Sequence, residues 1–251
     1  MSRNIKLTIA YDGTDFSGWQ RQEGRRTVQG CIEDALKKIH HKEITLYGAG
    51  RTDSGVHARA QNANFYTTID TINARAFVPA LNSILPQDLR IRAADEVDYN
   101  FNARFSAKRR VYRYFFILGM NNLPYETRFA LQLRSAPDIL LLNEYTRFLR
   151  GELDCTLFAS PSDPIFASGS GSVFRNIENA VFFIDGSRLV FEICANAFFR
   201  RMVRSIAGTL LYYEAKKLDA LDFKNLLKNG RRSDAGPTLA PHGLFLWNVT
   251  Y

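Results

Sequence analysis

The sequence predicts an α+β protein built from two halves, and three observations support this class. Hydrophobic residues make up 46% of the 251 residues, which is enough for one large core or two small ones. Short alternating segments, typical of strands, are interleaved with segments of helical spacing. The element order of the first half also returns in the second as a pattern, without repetition of residues. We place the boundary between residues 1–104 and residues 105–251.

The first half is predicted to contain a strand, a helix, two strands, a helix and a strand. Its first strand, up to Asp12, is indicated by apolar residues that alternate with polar ones. Thr27 can cap the first helix, because apolar residues follow it at helical spacing without a miss. The other elements are strands at 44–47 and 62–66, a helix at 73–85, which Pro86 ends and Pro79 disturbs, and a strand at 91–97. This order is ferredoxin-like.

The second half follows the same scheme less closely. We predict a strand at 111–118, a helix from Pro137 to Leu149, a hairpin of 174–184 and 189–195, a helix that starts near Phe199, a short helix from Asp219 to Gly230 and a strand at 244–251. Ser, Gly and Pro are frequent in 160–172, which is predicted to be a mobile loop.

Basic residues exceed acidic ones by 33 to 25, and the formal charge of +8 suits a polyanionic partner. The basic residues form four groups: Arg21, Arg25 and Arg26; Lys108, Arg109, Arg110 and Arg113; Arg200, Arg201 and Arg204; Arg231 and Arg232. Aromatic residues accompany them, namely Trp19, Tyr112, Tyr114, Phe198 and Phe199. This combination suits phosphate contact and base stacking, and we predict RNA contacts for Arg25, Arg26 and Arg110. A solvated face with core aromatics behind it is the alternative for each group.

Several classes of protein are disfavoured by composition. Three cysteines without CxxC spacing argue against a disulfide framework, and four histidines show no zinc-ligand spacing. We therefore expect neither a metal nor another cofactor. No apolar run approaches membrane-spanning length, and the N-terminus has no signal-peptide core. We expect a cytoplasmic protein without a membrane partner.

The most informative segment is 48–59, which reads GAGRTDSGVHAR. It places one carboxylate, Asp53, among three glycines, two arginines and two hydroxyl side chains, between two predicted strands. A plain turn also uses Gly, Asp and Ser, and it would be the better interpretation of an isolated GxGRxD. The density of glycine and charge instead favours an anion-handling site with an embedded carboxylate.

The same segment resembles the signature of the TruA family of tRNA pseudouridine synthases, usually written GAGRTDAGVHA, and differs from it only at Ser54. Further blocks of the family pattern follow in the same order, at 11–20, 27–30, 101–107, 110–114, 202–204, 235–238 and 242–244. The resemblance implies two ferredoxin-like, RRM-like halves. Their antiparallel or mixed sheets would be joined into a pseudouridine synthase fold, with the active cleft between the halves.

The resemblance implies an isomerase that converts uridine to pseudouridine in the anticodon stem-loop of tRNA, at positions 38, 39 and 40, without metal or cofactor. The reaction breaks the bond from ribose C1′ to N1 and remakes it to C5. A carboxylate could attack C1′ or remove a proton from the sugar, and both routes stay open. The resemblance assigns this carboxylate to Asp53. Asp12, Asp15 and Asp154 are rival acids, although Asp12 and Asp15 are expected to organise a turn.

An isolated buried carboxylate would be protonated and inactive as a nucleophile, so a cation is needed close by. The resemblance assigns this cation to Arg204. Arg200, predicted one turn earlier on the same helix face, is the alternative partner and otherwise an RNA contact. The remaining implied roles concern the flipped nucleotide: Tyr112 stacks on the target base and could help to remove the C5 proton, Leu244 contacts the opposite base face, and Arg51 fills the gap in the stack. His57 is assigned only a loop hydrogen bond.

The resemblance also implies a homodimer, in which one chain holds the tRNA body while the other performs chemistry. The apolar run 139–142 exceeds what one helix face can bury, although a helix buried on two sides within the monomer would explain it equally. Two other functions compete. A non-catalytic RNA-binding module would not need an embedded acid, and a glycoside hydrolase would normally need two carboxylates.

Overall fold

The computed structural model describes residues 2–119, 123–160 and 172–251, which form two compact units. The first unit is Met1–Lys108 together with Phe245–Tyr251, and the second is Arg109–Leu244. Both units combine strands with helices, so the predicted α+β class is confirmed. The C-terminal residues Phe245–Tyr251 belong to the first unit. The predicted domain boundary between residues 104 and 105 stays a prediction. The predicted mobile loop 160–172 lies outside the described residues, apart from its two ends.

The strands, in chain order, are β1 (Arg3–Tyr11), β2 (Tyr47–Gly48), β3 (His57–Thr67), β4 (Leu89–Val97), β5 (Arg109–Leu118), β6 (Leu131–Leu133), β7 (Gly151–Asp154), β8 (Phe174–Asp185), β9 (Arg188–Ala195) and β10 (Leu244–Thr250). The α-helices of the described ranges are α1 (Val28–His40), α2 (Phe77–Asn82), α3 (Pro124–Thr127), α4 (Ile139–Arg147), α5 (Met202–Ala215) and α6 (Ala220–Asn229). Within the described part of the chain, no helix is long and apolar enough to cross a membrane.

In the first unit, β1 lies between β3 and β4 and pairs antiparallel with both. Strand β2 pairs antiparallel with β3, whereas β10 pairs parallel with it, so the sheet is mixed. The alternation of Ile5, Leu7 and Ile9 that predicted β1 buries all three side chains completely. The predicted cap of α1 is confirmed, because Thr27 Oγ1 accepts a hydrogen bond from the Gly30 N–H at 3.2 Å.

Two predictions in the first unit are wrong in detail. The strand expected at 44–47 is reduced to β2, because the Leu46 N–H donates to the Glu33 carboxylate (3.0 Å) instead of to a strand. The helix expected at 73–85 is a 3₁₀ turn, Ala74–Ala76, followed by the short helix α2. Pro79 is tolerated in the first turn of α2, where its missing N–H would have no helical partner.

In the second unit, β9 pairs antiparallel with β5 and β8, and β8 pairs antiparallel with β7. Strand β6 runs parallel to β5, and neither β6, β7 nor α3 was predicted from the sequence. The predicted hairpin is confirmed, since Asp185 pairs with Arg188 across a turn in which Gly186 has a φ of 59°. Helix α6 begins at its predicted cap, because Asp219 accepts a hydrogen bond from the Asp222 N–H.

Candidate active site

The loop that carries Asp53 runs from β2 to β3 in the first unit. It closes with a turn in which the Asp53 carbonyl accepts a hydrogen bond from the Val56 N–H at 3.2 Å. Gly55 makes this turn possible, because its φ of 77° lies in the left-handed region that favours glycine. The Asp53 side chain is neither buried nor fully exposed. The turn therefore holds a carboxylate at a position that a ligand can reach.

The segment 11–20 holds this loop in place. The Trp19 N–H donates to the Thr52 carbonyl (3.1 Å), and the hydroxyls of Tyr11 and Thr52 share a hydrogen bond of 2.8 Å. On the other side of Asp53, Ser54 Oγ donates to the Phe16 carbonyl at 3.0 Å. Two sequence blocks that lie far apart in the chain thus form one rigid structure around the acid. Trp19 is buried, so its ring packs in the core of the first unit.

Gly13 is required by this close contact. A Cβ at Gly13 would lie 2.0 Å from the Val56 carbonyl oxygen, a main-chain atom that cannot move without displacing the loop. Gly50, in the same loop, has no atom within 4 Å of its would-be Cβ. We expect Gly13→Ala to lower the free energy of unfolding by about 1–3 kcal/mol or more, as over-packing does.

Gly50→Ala is the matched control, and it should change the free energy of unfolding by less than about 0.5 kcal/mol. Urea unfolding of the two variants checks this pair. Equal stability of Gly13→Ala and Gly50→Ala would contradict the tight contact between the two segments.

Asp12 and His57 organise the neighbouring turn. Asp12 Oδ1 accepts hydrogen bonds from the Thr14 N–H (3.0 Å) and from its hydroxyl (2.6 Å). His57 is fully buried, and its Nδ1 accepts a hydrogen bond from the Gly13 N–H (2.9 Å) and lies 3.1 Å from Asp12 Oδ1. These contacts agree with the turn role expected of Asp12 and the loop hydrogen bond expected of His57. Asp154, another rival acid, accepts from the Thr156 N–H at 2.9 Å.

The basic group at 21–26 is partly neutralised by carboxylates of the same unit. Arg26 makes two hydrogen bonds to Asp88, at 2.8 and 2.9 Å, and its guanidinium lies 4.0 Å from the Phe16 ring centre. The hydrogen bond with Asp88 raises the pKa of Arg26. Arg21 pairs with carboxylates of α1, whereas Arg25 and Arg51 are exposed. A phosphate could reach Arg26 only in competition with Asp88.

Arg204 lies on α5 in the second unit, and the 235–239 segment orients it. Its Nε donates to the Leu239 carbonyl at 2.7 Å, and the Leu239 N–H donates to the Arg204 carbonyl at 3.3 Å. The segment packs so closely on α5 that a Cβ at Gly208 would lie 1.8 Å from the Pro237 oxygen. Thr238 adds a 3.0 Å hydrogen bond to Ser205. The segment 235–239 therefore fixes the guanidinium of Arg204.

The other predicted residues of the second unit have the following positions. Tyr112, on β5, is 8% exposed and packs edge-to-face on Phe198 with 5.1 Å between ring centres. Arg110 donates to the Asn196 carbonyl at 2.6 Å, and Leu244 is buried at the start of β10. The prediction that Arg200 lies on the helix face of Arg204 is wrong. Helix α5 begins only at Met202, after Arg201 has turned the chain with a φ of 62°.

Tyr114 is a residue near Arg204 to which sequence reasoning gave no role. Its hydroxyl donates to the Ala240 carbonyl at 2.6 Å, and burial raises the pKa of Tyr114 while the charge of Arg204 opposes this shift. Burial and the charge of Arg204 together lower the pKa of His242. A Cβ at Gly243 would lie 2.5 Å from the Tyr114 ring. Tyr114 and Gly243 belong to the sequence blocks 110–114 and 242–244, and these two blocks were the sequence signal that could have indicated the contact.

Nothing in the described ranges groups three or more His, Cys, Asp or Glu side chains in a way that could hold a metal ion. The first unit provides the partly exposed carboxylate of Asp53 on a rigid loop. The second unit provides the oriented guanidinium of Arg204. A carboxylate of this kind can act as a nucleophile or as a base.

Known proteins resemble this chain along most of its length. A family profile described as tRNA pseudouridine synthase matches residues 7–106 and 148–251. A protein of Treponema denticola named tRNA pseudouridine synthase A is 49% identical over 254 residues, which cover 99% of this chain and 93% of that protein. Proteins of the same name from Treponema pallidum and Caldicellulosiruptor bescii are 44% and 38% identical, over 96% and 99% of this chain and 85% and 100% of theirs.

The chain belongs to the tRNA pseudouridine synthase family, and the resemblance read from the motif blocks is confirmed. Members of this family are isomerases, so the chain is an enzyme. This finding overturns both competing interpretations, the non-catalytic RNA-binding module and the glycoside hydrolase.

Proposed function

We propose that this enzyme isomerises uridine to pseudouridine in the anticodon stem-loop of tRNA, with Asp53 as the group that acts on the ribose. The observation that carries the proposal is the rigid loop, which holds a reachable carboxylate between two segments of the first unit. The bond from C1′ to N1 breaks and a bond from C1′ to C5 forms. C5 loses its proton and N1 gains one, so the atoms balance without a cofactor or a metal.

Arg204 is the cation that we propose for Asp53. A carboxylate that loses water when substrate binds needs a positive partner to stay ionised. Arg204 is suited to this role because its Nε is anchored on the Leu239 carbonyl, which fixes the direction of the other guanidinium nitrogens. The proposal includes two ferredoxin-like halves with the active cleft between them. The order of β1, α1, β2, β3, α2 and β4 in the first unit supports this for one half.

Three further residues complete the proposed handling of the flipped nucleotide. Tyr112 stacks on the target base, and Leu244 contacts the opposite face. Arg51, which is exposed, occupies the place that the nucleotide leaves. Unstacking a nucleotide costs a few kcal/mol, so a side chain that replaces it offsets part of that cost. Arg25, Arg26, Arg110 and Arg200 are proposed to contact the RNA backbone.

We also propose a homodimer that acts in the cytoplasm. The family resemblance motivates this proposal, and helix α4, which buries Leu142 but leaves Leu140 80% exposed, is a surface at which to test it. The wide basic surface that a tRNA needs would then be shared between two chains.

The test of the proposed function incubates the purified protein with unmodified tRNA transcripts. Pseudouridine is detected by selective chemical labelling at single-nucleotide resolution, because the isomerisation changes no mass. A transcript with cytidine in place of the uridines at the 3′ side of the anticodon stem-loop is the control. We expect label only at those uridines, with or without chelator. Label elsewhere in the tRNA, or none, would contradict the proposal.

A further inference from the structure

Two exposed arginines of the first unit lie at irregular points of its sheet. The register between β1 and β3 shifts between Ile9 and Tyr11, and Arg59 lies in the extra stretch of β3. The register between β1 and β4 shifts between Thr8 and Ile9, and Arg92 is the extra residue of β4. Such β-bulges redirect side chains and are frequent next to functional sites. Here they place one arginine on each side of β1.

Contacts join these arginines into a row across four strands. An Arg92 Nη1–H donates to the main-chain carbonyl of Arg59 at 3.1 Å, which spans β1. The Arg59 guanidinium lies over the indole of Trp247, 4.5 Å from the ring centre, and Trp247 belongs to β10, which pairs with β3. Stacking on a ring holds the guanidinium plane while its N–H edges remain available for an acceptor. We call Arg92, Arg59 and Trp247 the arginine row.

Among the residues that the structure describes, no carboxylate forms an ion pair with the arginine row. Where other arginines pair with carboxylates, such as Arg3 with Glu96 and Arg113 with Glu192, no ion pair among residues 2–119, 123–160 and 172–251 includes Arg59 or Arg92. The nearby acids of β4 are already used, because Asp95 lies 3.7 Å from Lys6 and Glu96 pairs with Arg3. An exposed guanidinium without a carboxylate partner attracts an anion.

We propose that the arginine row binds phosphates of the substrate RNA, which adds a contact surface to the proposed function and rests on it. A guanidinium edge matches two phosphate oxygens, so each arginine suits one phosphodiester. The position also fits, because β3 begins directly after the Asp53 loop and Arg59 is near its start. A nucleotide presented to Asp53 has phosphodiesters on both sides. The row therefore lies where an RNA backbone that reaches this loop continues.

The test compares three double variants of the full-length protein. Arg59→Gln with Arg92→Gln removes both charges. Lys37→Gln with Lys38→Gln removes the same charge from the exposed side of α1 and is the matched control. Arg59→Lys with Arg92→Lys keeps both charges. For each, the Kd for unmodified tRNA is measured between low and high salt, together with the single-turnover rate of pseudouridine formation at saturating enzyme.

We expect the glutamine variant of the row to raise Kd roughly tenfold or more near physiological salt, and to reduce the slope of log Kd against log salt by about 1.5. Its single-turnover rate should equal that of the wild type. The α1 control and the charge-retaining variant should both keep most of the wild-type slope. If the row variant and the α1 control change Kd and slope equally, the row is not a phosphate site. The same conclusion follows if the salt slope of the charge-retaining variant falls as far as that of the glutamine variant.

Failure of the proposed function would look different. A wild-type protein that binds tRNA through the row but forms no pseudouridine would refute the proposed function and leave the row supported. A wild-type protein that forms pseudouridine, with a row variant indistinguishable from the control, would refute the row alone. A wild-type protein without affinity for tRNA would refute both.

Discussion

Replacement of Asp53 by asparagine is expected to abolish pseudouridine formation while tRNA binding and folding stay unchanged. The reason is local, because the turn at Asp53 is closed by its main-chain carbonyl and the Val56 N–H, which the substitution keeps. Asparagine is nearly isosteric with aspartate, but it can neither attack C1′ nor take a sugar proton. We expect the single-turnover rate to fall roughly a thousandfold or more, which corresponds to about 4 kcal/mol of activation free energy.

Three neighbouring or rival residues provide matched controls for this variant. Ser54→Ala removes the hydrogen bond to Phe16, but alanine is common at this position of the family signature, so activity should be retained. Asp15→Asn and Asp154→Asn remove rival acids with the same chemical change and should also remain active. Rate and Kd are measured separately for all four variants. If Asp53→Asn keeps about a tenth of wild-type turnover, its assigned role is wrong.

Much of the fold could be predicted from the sequence, because its signals are local. Three helices begin at a side chain that accepts a hydrogen bond from a main-chain N–H in the first turn. These capping residues are Thr27, Asp138 and Asp219. The alternation in β1 and the glycine in the turn between β8 and β9 are equally local. These elements were predicted within a few residues of their observed bounds.

The errors have two causes, namely partners that lie elsewhere in the chain and a local left-handed turn. The segment before β2 looked like a strand by its apolar residues, yet Glu33 of α1 accepts its main-chain N–H. Arg200 was placed on a helix because that helix was predicted to start near Phe199, but the left-handed conformation of Arg201 delays the helix start. The ion pair of Arg26 with Asp88 joins two distant segments, and no sequence pattern predicted it.

In the candidate site, too, features with a local sequence signal could be predicted and features that depend on the folded chain could not. The acid and its glycines could be recognised from the segment 48–59 and its family resemblance. The way in which the segment 11–20 holds the Asp53 loop could not be predicted, because Trp19 and Thr52 come into contact only in the folded chain. The arginine row was missed for a related reason. Its residues come from three strands, and the bulges that bring them together leave no simple trace in the sequence.

Replacement of Arg204 by methionine is expected to have the second-largest effect. Methionine keeps most of the apolar stem but removes the charge proposed to stabilise ionised Asp53, so the single-turnover rate should fall about a hundredfold or more. Loss of the hydrogen bond to the Leu239 carbonyl should cost about 1 kcal/mol of stability. Because the charge of Arg204 lowers the pKa of His242, the variant should also show a higher pKa for this histidine, measured by NMR titration.

Two companion variants separate the charge of Arg204 from its geometry and from general RNA attraction. Arg204→Lys keeps a charge, but a lysine ammonium cannot hold the Leu239 carbonyl and present further fixed donors, so its rate should lie between those of wild type and Arg204→Met. Arg200→Met removes a charge from the turn before α5, and it should raise Kd while leaving the single-turnover rate at saturating enzyme unchanged. The opposite pattern, with chemistry lost in Arg200→Met and only affinity lost in Arg204→Met, would show that Arg200 is the partner of Asp53. A higher pKa of His242 in Arg204→Met, without any change of rate, would confine Arg204 to the electrostatics of the second unit and remove it from the reaction.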